Sequence, residues 1–143
     1  MKSLDWVLEN FNNMETSIDD RLGRRLCQFL TIEQMEKLGF GFENEEDKKN
    51  HKPVEWTEEN ILKQLKDDVD FGIEKATGHR GISASLMWEV CMGWCMILEN
   101  GLDEIYKDNY GWYGDELFGA IDQKYKFKLV DADTFNDDFY KEW

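Results

Sequence analysis

The chain has 143 residues, enough for one domain with a true core, and carries 31 Asp and Glu against 17 Lys and Arg, a formal net charge of −14. A surface of that sign repels nucleic acid and anionic membrane over most of its area, which argues against direct nucleic-acid or membrane binding and suits a soluble protein or one with a basic partner. Six Trp, nine Phe and five Tyr beside 34% charged residues describe large rings inside and charge outside.

In chain order, Leu4, Val7, Leu8 and Phe11 recur at helical spacing in a first segment near residues 3–14. Ser17-x-x-Asp20 has the form of a capping box that opens a second helix, with Ile18, Leu22, Leu26 and Phe29/Leu30 on one face. Thr31-x-x-Gln34 opens a short third helix that ends at Gly39. The single proline, Pro53, marks the main break, and Glu43–Val54 reads as a solvated polar loop because it has no hydrophobic period. Thr57 caps the next helix, whose stripe is Leu62, Leu65, Val69, Ile73 and Ala76 and which closes at Gly78. Gly81 then separates it from Ile82–Leu98, a run with one charged residue that ends at Asn100-Gly101. A helix apolar on every side is buried on every side, as the axis of a core or a subunit seam. The run is at the lower limit of bilayer-spanning length, contains Glu89 and lacks a basic flank beyond its end, so it reads as a buried helix. The tight link favours an antiparallel hairpin.

A further helix follows the aromatic loop Tyr110–Gly114, with Leu117, Phe118, Ile121 and Tyr125 inward. The alternation of Tyr125, Phe127 and Leu129 with lysines fits a short strand or a frayed helix end. Residues 131–143, with Phe135, Phe139 and Trp143 four apart and Thr134-x-x-Asp137 placed to cap, read as a short acidic amphipathic helix or as an acidic aromatic tail that becomes one on docking. The expected fold is all-α: a single domain over residues 1–143, a compact bundle of about five to six helices around the central apolar helix.

No catalytic motif is visible. His51 and His79 are the only histidines, and there is no nucleophile elbow, phosphate-binding glycine loop or HExxH. Glu89, alone in the apolar run, reads as the buried partner of a Lys or Arg from a neighbouring helix rather than as a general acid. Cys91 and Cys95 at i, i+4 share one helix face but lack further zinc ligands. Asp131, Asp133, Asp137 and Glu142 match calcium-loop positions whose fifth and sixth places are occupied by Phe135 and Asn136. The expectation is therefore no enzyme, no metal and no cofactor. Three cysteines, an odd number with two in the apolar run, read as reduced thiols of a cytosolic protein, and no cationic leader precedes an apolar stretch at the N-terminus.

Two basic features stand out. Arg21, Arg24, Arg25 and Gln28 form the polar edge of one helix, and Arg suits bidentate contact with phosphate or carboxylate. His79-Arg80-Gly81, followed by Ser83 and Ser85, combines an Arg, first-turn hydroxyls and a Gly that admits close backbone approach, as an anion cradle would. The plainer alternatives are that Asp20 and other acids neutralise the Arg stripe, and that Ser83 caps its helix while Arg80 covers an acidic neighbour. Were the stripe and the cradle to meet, with Trp112 or Tyr113 to stack a base, they would make a nucleotide pocket.

The blocks EWTEEN at 55–60, DVDFGIEK at 68–75 and HRGISASLM at 79–87 resemble a family of small phage and prophage proteins of unassigned function, over roughly residues 20–127. The resemblance implies a viral origin and a bacterial cytoplasm, and no site residue is carried over from it. By analogy with small acidic phage accessory proteins, the expected function is counter-defence. One form of it is non-catalytic sequestration of a nucleotide-derived immune signal, at a subunit seam of a homo-oligomer near Trp88–Trp94. The alternative is an acidic inhibitor of a host nuclease, a DNA mimic or anti-CRISPR protein. The third reading is a structural or replication accessory protein.

Overall fold

The computed structural model describes residues 1–11, 21–78, 82–98 and 114–129. Among them the chain is all-α, with helices α1 (Leu4–Asn10), α2 (Arg21–Leu26), α3 (Ile32–Lys37), α4 (Glu45–Asn50), α5 (Glu58–Gly78), α6 (Ile82–Leu98) and α7 (Gly114–Tyr125), and a 3₁₀ turn at Cys27–Phe29 that continues α2. No described helix is long and apolar enough to cross a membrane.

The core follows from α6. Met87, Val90, Cys91, Trp94, Cys95 and Ile97 are buried completely or nearly so, whereas Trp88, Glu89, Met92 and Met96 are half-buried, so the helix is not enclosed on every side as its composition led one to expect. α5 and α7 both pack on it and on each other, and α2 crosses it. Only residues 79–81 separate α5 from α6, and Asp68 and Trp94, at similar distances from that link, are hydrogen-bonded. The two helices therefore run antiparallel, as a hairpin. The face of α5 that reaches the core is Ile61, Leu65, Asp68 and Val69, with Leu62 and Ile73 half-buried at its edges. A carboxylate thus lies inside the stripe that hydrophobicity alone had traced. At Gly72 the α5 backbone lies against Phe118 of α7, and an added Cβ would come within 2.6 Å of the ring.

The expected caps are present. Thr31 accepts from the Gln34 backbone N–H at 3.1 Å while the Gln34 side chain accepts from the Thr31 N–H at 2.9 Å, and Gly39 closes α3 with φ +88°. Thr57 Oγ1 accepts from Asn60 N–H at the start of α5. The Ser17–Asp20 box lies outside the described residues.

Residues 43–54 depart from the loop expected of them, because α4 forms within them. It buries nothing, so hydrophobic period could not reveal it. Its warrant is terminal. Asn44 Oδ1 accepts from Asp47 N–H at 2.8 Å, Glu45, Glu46 and Asp47 meet the positive end of the helix dipole, and Lys48 and Lys49 meet the negative end. The stretch after α7 is a helix end and not a strand. Lys126 and Lys128 take φ of 57° and 63°, while buried Asp122 accepts Phe127 N–H on its carbonyl and Leu129 N–H on Oδ1.

Candidate functional site

The Arg stripe of α2 divides as the helix packs. Arg25 turns inward: its Nε donates to Asp68 Oδ1 at 2.6 Å, Nη1 to the Arg21 carbonyl at 3.3 Å and Nη2 to Met87 Sδ at 3.6 Å. Asp68, 3% exposed, also accepts from Trp94 Nε1 on Oδ2 at 2.8 Å and from Gln64 Nε2 at 3.1 Å, and Gln64 in turn accepts from Gln28 Nε2 at 2.6 Å. Burial pushes the Asp68 carboxyl above its usual range, against the opposing pull of Arg25, Trp94 and Gln64. Arg25 and Gln28 therefore hold α2 to the α5–α6 hairpin and are spoken for as ligand donors. Arg21 is half-buried and engaged in further contacts.

Arg24 points the other way. It is exposed and pairs with no carboxylate among the described residues. It lines an open hollow of about 460 Å³ together with Cys27, Met35, Gly39, Phe40, Gly41, Phe42 and Glu43. Two rings give that hollow fixed walls. Phe40 packs where Gly23 lacks a side chain: a Cβ there would lie 2.3 Å from the ring, and the edge of Phe11 closes on Phe40 at 6.3 Å between centroids. Phe42 meets the His51 ring at 5.2 Å, and His51 Nε2, 2.7 Å from the Leu30 carbonyl, is a donor by necessity because that oxygen only accepts. The loop between α3 and α4 is thus held by its two rings, one on each side of Gly41. A second hollow of about 340 Å³ shares Phe40–Glu43 and adds Ile32, Glu36, Asn44, Glu45 and Lys48, where Lys48 bridges to Glu36 at 3.6 Å.

The sequence had drawn attention to Arg24 but not to Phe40, Phe42 or Glu43. The available signal was Gly39-Phe-Gly-Phe42, two rings flanked by glycines just after a helix end. Of the other expected site residues, His79, Arg80, Trp112 and Tyr113 lie outside the described residues. Ser83 and Ser85 fall in the first turns of α6, and their side chains are likewise outside that set. Met87, the contact of Arg25, is one turn beyond Ser83, so α2 does lie alongside the start of α6. Trp94 is fully buried within one chain and therefore closed to a subunit seam; among the described side chains of α6, Trp88, Glu89, Met92 and Met96 are half-buried.

Burial pushes the Cys27 thiol up to about 11 and the Cys95 thiol up to about 12, and Cys91 is raised as well, so none is set up as a nucleophile. Among the described residues no three His, Cys, Asp or Glu side chains converge as a metal site would require. No family model, curated protein or solved structure matches the chain.

Proposed function

We propose that the protein is a phage counter-defence factor that binds and sequesters a nucleotide-derived bacterial immune signal without chemical turnover. The observation that carries this reading is the hollow beside α2: an exposed guanidinium, unpaired among the described residues, next to two anchored phenyl rings. A guanidinium suits a phosphate and a ring face suits a base, and neither group transforms what it holds. The resemblance to phage proteins supplies the biological setting.

The test is thermal shift with ADP-ribose and with cyclic dinucleotides, followed by mass spectrometry of small molecules released on heating protein purified from cells with active immune signalling. Arg24→Ala abolishes the shift if the hollow is the site. A shift lost in Arg80→Ala and retained in Arg24→Ala moves the site to the entrance of α6. No shift with any nucleotide, and no released nucleotide, sinks the reading.

A second reading is favoured by the exposed carboxylates Glu45, Glu46 and Asp47 on α4, Glu55 in the segment that follows it, and Glu58 and Glu59 at the start of α5, which suit a basic groove of a host nuclease. It requires salt-sensitive capture of such a nuclease, weakened when these residues are neutralised.

A further inference from the structure

The hollow beside α2 holds a second charge of opposite sign. Glu43 lines the same space as Arg24, both are exposed, and the two form no ion pair with each other. An acid and a base that share a cavity without pairing leave room for an occupant that presents an anion to one and hydrogen-bond donors to the other. Phe40, Phe42 and Met35 line the same space.

Resting on the nucleotide-binding reading, we infer that Glu43 is a specificity-determining residue that accepts hydrogen bonds from the 2′,3′-diol of a ribonucleotide whose phosphate is on Arg24. A carboxylate is the natural acceptor for two adjacent hydroxyls, and the diol and the 5′-phosphate leave the ribose at different points, so one ribonucleotide offers a group to each of the two charges that line the hollow. This selects the class of ligand. Nucleotides with an unesterified diol, such as AMP and ADP-ribose, satisfy Glu43. A 3′,5′-cyclic dinucleotide has its 3′ oxygens esterified, presents no vicinal diol, and brings a second phosphate towards Glu43.

The experiment is calorimetric titration of the full chain with AMP, 2′-deoxy-AMP, cyclic di-AMP and inorganic phosphate. It is run beside the rate of Cys27 alkylation, since that half-buried thiol lines the hollow and reports its occupancy. The expected result is AMP binding about tenfold tighter than 2′-deoxy-AMP, with slowed alkylation of Cys27, and a ratio near one in Glu43→Gln. Glu43 is exposed, so this variant folds, and Arg24→Ala is the matched variant that loses both nucleotides. Equal affinity for AMP and 2′-deoxy-AMP in the native chain overturns the role of Glu43 and leaves nucleotide capture standing. Tighter binding of cyclic di-AMP than AMP does the same. Phosphate binding as well as AMP shows an adventitious anion only and overturns the inference. Silence from every probe overturns the inference, and the binding function falls with it when ADP-ribose gives no thermal shift and no nucleotide is released on heating.

Discussion

Arg25→Met is the most informative perturbation of the core. Methionine keeps much of the aliphatic stem that packs on α6 and removes the charge, so it strands the Asp68 carboxylate, 3% exposed, beside only the neutral donors Trp94 and Gln64. Breaking a buried pair from one side costs about 3–5 kcal/mol. The low end applies here, because the Arg25 side chain is itself 26% exposed and the native pair is partly solvated. Asp68→Asn retains an acceptor for Trp94 and leaves Arg25 able to reach water, so it costs about 1–2 kcal/mol. The double variant no longer buries an unpaired charge and comes out more stable than Arg25→Met alone, with a coupling energy of about 2 kcal/mol. Urea denaturation of the four proteins at pH 7 measures the cycle, and Tm tracks it at about 2–4 °C per kcal/mol for a chain of this size. A coupling below about 0.5 kcal/mol, or an Arg25→Met loss typical of a surface residue, would falsify the claim that this pair fastens α2 to the hairpin.

The acid dependence of the same group has a definite sign. Because the native fold holds the Asp68 proton more tightly than the unfolded chain does, ionised Asp68 opposes folding at neutral pH, and that penalty is relieved as pH falls through its native pKa towards 3.8. The stability of the native chain relative to Asp68→Asn therefore rises on acidification from pH 7 towards 4, and the opposite slope in paired urea titrations would mean that the attraction of Arg25 outweighs burial. Gly72→Ala places a Cβ 2.6–2.9 Å from three atoms of the fully buried Phe118 ring, and overpacking exceeds the gain in helix propensity, for a net loss of about 1 kcal/mol. Gly41→Ala, with nothing within 4 Å, leaves Tm nearly unchanged, and equal Tm values for both alanine variants would contradict the close α5–α7 contact. At pH 8 a thiol reagent labels Cys27 slowly and leaves Cys91 and Cys95 untouched until urea is added, whereas rapid native labelling of all three would show that the α6 core opens.

Local signals in the sequence carry far in this chain. The burial of α6, the hairpin it makes with α5, the capping box of α3 and its end at Gly39 are written in composition, in 3.6-residue period and in short-range hydrogen-bonding partners, all of which act within a few residues. The same locality explains the misreading of 43–54, where the helix rests on a cap and a dipole instead of a buried face. What each arginine does was decided only by tertiary packing. Arg21, Arg24, Arg25 and Gln28 look alike as a stripe. Yet the approach of α2 to α5 and α6 commits Arg25 to Asp68, a residue 43 positions away, and leaves Arg24 facing the rings of Phe40 and Phe42. Charge and side-chain type are properties of a position, but which partner satisfies a charge depends on what the fold brings within hydrogen-bonding reach.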